Sequence, residues 1–131
     1  MENFQKIIDS LSGLRANMTN RDFLLTWEKT DDEIALTIEI AQLLKHLYEN
    51  NVATRLFQSG LAVSLFRDQS TRTRFSFASA CNLLGLTVQD MDEGKSQIAH
   101  GETVRETSNM ISFLTEAIGI RDDIFLGAGN T

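Results

Sequence analysis

Between Gly60 and Asp90 the chain runs through an apolar stretch, a polar turn, an amphipathic stretch and a second apolar-rich stretch, and this block constrains the fold most. The first part, Leu61-Ala62-Val63-Ser64-Leu65-Phe66 behind Gly60, is almost continuously apolar. That pattern predicts a strand over 60–66 covered on both faces. Past Ser70, the residues Phe77, Ala80, Cys81 and Leu84 recur at i, i+3, i+4 and i+7, which predicts a helix burying those four. Gly85 is placed to close it in the left-handed conformation. A second strand is predicted over 86–90. Thr103-Val104-Arg105-Glu106 then reads as a capping box opening a helix that buries Val104, Ile111 and Leu114. A third strand follows over 117–120, with Arg121 at its carboxyl end. Alternating strands and helices build parallel βαβ units, so the expected class is α/β, a parallel sheet flanked by helices in three layers.

The first fifty residues are helical in pattern. Phe4, Ile7, Ile8 and Leu11 predict a short amphipathic helix over 3–12. A second short helix is expected after Asn20, burying Phe23, Leu24 and Trp27. Thr30 to Glu33 is another capping box, opening a helix with a Leu36, Ile40, Leu43, Leu47 stripe that ends at Asn50-Asn51. His46 lies on that helix and is assigned no role. The 131 residues are expected to form one domain, 1–131. A net charge of −6 argues against nucleic-acid or anionic-membrane binding. No run of apolar residues is long enough to span a bilayer, and the start carries no signal-peptide pattern. A single cysteine, Cys81, permits no internal disulfide, which suits a reducing cytoplasm; on the inner stripe it reads as a small core hydrophobe.

Against this acidic background the segment Arg67-Asp68-Gln69-Ser70-Thr71-Arg72-Thr73-Arg74 concentrates positive charge and hydroxyls. It stands where a helix begins, and the first turn of a helix exposes unpaired N–H groups at the positive end of its dipole. Such an end accepts anions, and the guanidinium fork matches phosphate oxygens. Ser70 or Thr71 as a plain cap with solvated arginines is the competing reading. Cationic side chains in a first turn oppose the dipole, however, so a helix shaped only for stability would carry Asp or Glu there. Ser70, Thr71, Arg72 and Thr73 are therefore expected to hold a phosphoryl group. In a parallel sheet the loops after 66, 90 and 120 share the carboxyl edge, where ligands of open α/β sheets bind. That edge collects Ser70–Arg74, the 91–102 loop and Arg121.

Other motifs fail on spacing. Gly94-Lys95-Ser96 resembles the end of a P-loop, but the required earlier glycine is Gln89. There is no GxGxxG, and His46, Cys81 and His100 are too far apart for zinc spacing. Asp90, Asp92 and Glu93 read as a solvated acidic loop rather than a cation site. No metal and no cofactor are expected.

Residues Phe66 to Arg121 resemble the carbamoyl-phosphate domain of aspartate and ornithine carbamoyltransferases. The resemblance rests on Ser70-Thr71-Arg72-Thr73-Arg74 followed by Phe75-Ser76-Phe77, and on Ser96-Gln97-Ile98 with Glu102-Thr103. The run Asp92 to Thr103 is most similar to the branch called knotted carbamoyltransferases. The resemblance implies a Rossmann-like fold and carbamoyl phosphate as ligand. Ser70, Thr71, Arg72 and Thr73 would bind its phosphate, and Arg121 would bridge carbonyl and phosphate oxygens. Arg72 and Arg121 would be the catalytic cations. Arg74 would be structural, pairing with a carboxylate, and Gln97 would enter a neighbouring subunit's site in a homotrimer. His100 stands where the aspartate type has lysine, and Gln69 replaces a small residue or proline.

The resemblance also implies a cytoplasmic transferase of amino-acid metabolism that moves a carbamoyl group to the amine of an amino-acid-like acceptor. The family's His-Pro-x-Gln motif and its acceptor domain have no counterpart here, so the chain is expected to be an amino-terminal half, inactive alone, with its acceptor unidentified. The alternative is a non-catalytic anion-binding or oligomerisation module.

Overall fold

The computed structural model describes residues 2–66, 70–91 and 103–121. The chain divides into two compact units, Met1–Thr54 and Arg55–Thr131.

The first unit is helical. Helix α1 (Glu2–Ser12) packs against helix α2 (Asp31–Glu49), with the Phe4 ring stacked 5.7 Å from that of His46. The expected capping box at Thr30 is present in full: Glu33 N–H donates to Thr30 Oγ1, and Thr30 N–H donates to Glu33 Oε1, both at 3.1 Å. Leu36, Leu43 and Leu47 of the expected stripe are half-buried, but Ile40 is exposed. The short helix expected after Asn20 does not form. Only a single 3-10 turn, Thr26–Glu28, is found there, without a side-chain cap. Three residues cannot present an apolar face, and Leu24 and Trp27 stand 75% and 79% exposed, with Phe23 also exposed. A Lys29 Nζ bond of 2.7 Å to the Asp22 carbonyl closes the segment instead.

The second unit carries the sheet. Strand β1 (Leu61–Phe66) lies between β2 (Thr87–Asp90) and β3 (Ala117–Arg121), and both pairings are parallel. The near-continuous apolarity of β1 is explained by that central place: Ala62, Val63, Ser64 and Phe66 are all buried. Helix α3 (Thr71–Leu84) packs on β1 and β2, and helix α4 (Val104–Leu114) leads into β3. The chain is thus an α/β fold, with a parallel three-stranded sheet among the described residues.

The core beneath α3 joins Ala62, Cys81 and Leu86, flanked by Phe77, Val88 and Ala117. Two glycines permit this approach. At Gly119 of β3 a Cβ would lie 2.6 Å from the Phe77 ring, whose edge also meets Phe66 at 5.5 Å. Gly85 ends α3 at φ 102°, and a Cβ there would stand 2.0 Å from the Phe57 carbonyl oxygen. Two sequence expectations for the inward faces are corrected. Ala80 is exposed, while Phe77, Cys81 and Leu84 of the same stripe are buried or half-buried. Leu114 is 64% exposed, and Thr107 (4%) takes the inward position one turn before Ile111. The Val104 side chain lies outside the described residues.

Candidate functional site

The site begins with the end of β1 and the start of α3. Ser70 is the N-cap, with extended backbone (φ −71°, ψ 99°), and its Oγ accepts from Thr73 N–H at 3.4 Å. The two hydroxyls Ser70 Oγ and Thr73 Oγ1 also meet at 2.9 Å. Thr71 and Arg72 are exposed in the first turn, which holds no acidic residue. Arg72 therefore lies at the positive end of the helix dipole, with no carboxylate within the turn to oppose an anion.

Strand β3 brings Arg121 to this helix end. Its last residue pairs with Phe66 across the parallel ladder, which places it at the carboxyl edge. Arg121 Nη1 donates to Thr73 Oγ1. Residues 48 positions apart in the chain thereby meet at one hydroxyl. The sheet topology brings together Ser70, Thr71, Arg72, Thr73 and Arg121, five of the residues singled out from sequence.

Arg74 points elsewhere. Its Nη1 donates to Asp90 Oδ2 at 2.5 Å and its Nη2 to the Phe66 carbonyl at 2.8 Å. Asp90 Oδ1 in turn accepts from Ser64 Oγ at 2.7 Å. Ser64 was passed over in the sequence, and Asp90 was placed there at the end of the second strand and grouped with the acidic residues that follow, without a role at the site. A serine inside an otherwise apolar strand was the mark the sequence carried; its register with Asp90 comes from the sheet.

Gln97 and His100, like Arg67, Gln69, Asp92 and Glu93, lie outside the described residues. Among the described residues no group of three or more His, Cys, Asp or Glu side chains could hold a metal ion, and no helix is long and apolar enough to cross a membrane. Burial pushes the Cys81 thiol up, which keeps it protonated and unreactive inside the core.

A family model described as the aspartate/ornithine carbamoyltransferase carbamoyl-P binding domain matches residues 21–130. Putative carbamoyltransferase YgeW of Escherichia coli (strain K12) is 59% identical over 130 residues, covering 99% of this chain and 33% of that protein. An ornithine carbamoyltransferase of Parafrankia sp. is 38% identical over 105 residues, covering 79% of this chain and 33% of its own length. Among solved structures, the catalytic subunit of M. jannaschii aspartate transcarbamoylase superposes with a TM-score of 0.67 at 28% identity, covering 76% of this chain and 34% of that one. The Trypanosoma cruzi aspartate transcarbamoylase, solved with carbamoyl aspartate and phosphate, gives the same TM-score at 23% identity over 76% of this chain and 32% of that one, a likeness of fold. The chain thus spans about a third of the length of the curated relatives it matches.

Proposed function

We propose, from the premise that this chain belongs to the aspartate/ornithine carbamoyltransferase family and carries its carbamoyl-P binding domain, that the α3 start and Arg121 together grip carbamoyl phosphate for transfer of its carbamoyl group to an amine. The carrying observation is the bond from Arg121 to Thr73, which joins a β3 cation to the hydroxyl-rich first turn of α3. Ser70, Thr71 and Thr73, with the first-turn N–H groups and Arg72, hold the phosphate. Arg121 reaches from the phosphate to the carbonyl oxygen.

The chemistry suits these groups. The acceptor amine attacks the carbonyl carbon, the C–O bond to phosphate breaks, and the amine proton leaves to solvent or to phosphate. No covalent enzyme intermediate is needed. The protein contributes orientation and cationic donors where negative charge develops, on the carbonyl oxygen and the departing phosphate. Since the chain spans a third of its relatives, the acceptor side of the site belongs to further sequence in the full-length protein. The relatives' names support an amino-acid acceptor, ornithine- or aspartate-like. The full-length protein works in the cytoplasm as a homotrimer, in which Gln97 of one subunit completes a neighbour's site.

The test is calorimetric titration of the full-length protein with carbamoyl phosphate and with inorganic phosphate, followed by a transfer assay against a panel of amines. The expected result is saturable binding of both ligands, lost in Arg72→Ala and Arg121→Ala, and carbamoylation of at least one amine. Absence of binding at millimolar ligand overturns the site. Binding without transfer to any amine supports the non-catalytic module instead.

A further inference from the structure

We propose that Asp90 is a positioning residue for this site: it neutralises Arg74 and, through it, sets the rotation of the first turn of α3 against Arg121. The inference rests on the reading that this helix end holds a phosphoryl group. Ser64 and Asp90 are partners in the β1–β2 ladder, so both side chains leave the same face of the sheet. The buried Ser64 hydroxyl, 3% exposed, donates to Asp90 Oδ1 at 2.7 Å. That bond fixes the carboxylate plane and leaves Oδ2 for Arg74 Nη1 at 2.5 Å. The second nitrogen of the same fork reaches the Phe66 carbonyl at 2.8 Å. One guanidinium therefore ties the first turn of α3 to the carboxyl ends of both β1 and β2.

Beside the Arg121 bond to Thr73 and the Phe57 N–H bond to the Leu84 carbonyl, the packing of α3 on the sheet is apolar. Phe77 lies against Phe66 and over Gly119, and Cys81 enters the core. Apolar burial is non-directional, so it sets the helix's distance from the sheet better than its rotation. The directional contacts of Arg74 set that rotation, and with it where the Ser70 and Thr73 hydroxyls stand relative to Arg121. There is also an electrostatic consequence. Arg74 lies in a first turn that contains no acid, and Asp90 supplies its counter-charge from another strand.

The two roles predict opposite effects on binding and on rate. In full-length protein, Asp90→Asn removes a negative charge from beside the cradle, so inorganic phosphate binds about two- to fivefold more tightly, the range of a partly exposed ion pair. The same change loosens the turn, so the rate constant for transfer to the amine found in the screen falls roughly tenfold or more. The double variant Asp90→Asn/Arg74→Gln returns phosphate affinity to within about twofold of wild type and leaves the rate low. Ser64→Ala, which keeps the charge pair and removes only its orienting bond, lowers the rate with phosphate affinity unchanged. A merely structural role weakens phosphate binding in all three, and that pattern overturns the inference while wild-type binding preserves the underlying reading. Wild-type protein that binds neither phosphate nor carbamoyl phosphate overturns both.

Discussion

The starts of α2 and α3, one in each unit, use the same backbone device and opposite charges. Thr30 and Ser70 are both extended caps whose side-chain oxygen accepts from the N–H three residues on. After Thr30 come Asp31, Asp32 and Glu33, three carboxylates at the positive end of the helix dipole, with Glu33 closing the box. After Ser70 come Thr71, Arg72, Thr73 and Arg74, and no acid. The first arrangement lowers the helix's own free energy. The second gives that up and leaves a cationic, hydroxyl-lined end that an incoming anion stabilises. Two helix starts of like geometry thus separate what stability requires from what binding requires, and charge in the first turn is the distinguishing mark.

That contrast breaks most easily at Arg72. Arg72→Glu converts the α3 start to the α2 pattern. It abolishes phosphate binding in calorimetry and at the same time raises resistance to denaturant by about 0.3–1 kcal/mol. Arg72→Ala in the full-length protein lowers the transfer rate by on the order of a hundredfold or more, corresponding to about 2–4 kcal/mol of lost transition-state stabilisation. A variant with a normal rate breaks the comparison outright.

The α2 start makes the reciprocal prediction. Thr30→Ala removes a cap that serves only the helix, so it costs about 1 kcal/mol in a urea melt and leaves phosphate affinity unchanged. The smallest effect concerns acid. The hydrogen bond from the Thr30 backbone, aided by the Thr30 side chain and by Arg21 and Lys29 nearby, holds the Glu33 carboxyl below its ordinary value against the opposing effect of burial. A depressed folded-state value means the unfolded chain takes up the proton first. Glu33 therefore contributes its full stabilisation above the ordinary carboxylate range and loses it as pH falls through the lowered value. Glu33→Gln is expected to flatten the acid limb of a stability-versus-pH curve, with no change in phosphate affinity at neutral pH.

The βαβ frame was legible because its elements have strong local codes: the apolar run 61–66, the Ser70 cap, the Gly85 stop and the two capping boxes each name an element unaided. Ser70 to Thr73 and Arg121 could be gathered at one edge because a parallel sheet puts every strand's carboxyl end on the same side. Readings failed where the local code was weaker than the surroundings, Ile40 of the α2 stripe among them. Phe23, Leu24 and Trp27 suggested a helix, but no cap starts one and a single 3-10 turn forms. Ala80 and Leu114 fitted an apolar period, yet both are exposed. The Ser64–Asp90–Arg74 chain was not readable in advance because it depends on the β1–β2 register, which no single segment encodes.

The central claim is that the α3 start and Arg121 grip one phosphoryl group between them. A crystal structure of the full-length protein with carbamoyl phosphate bound tests this most directly. Phosphate oxygens are expected about 3 Å from the first-turn N–H groups, the Thr71 and Thr73 hydroxyls and the Arg72 guanidinium, with Arg121 reaching the carbonyl oxygen. Carbamoyl phosphate bound elsewhere, with Arg72 and Arg121 untouched, would contradict it.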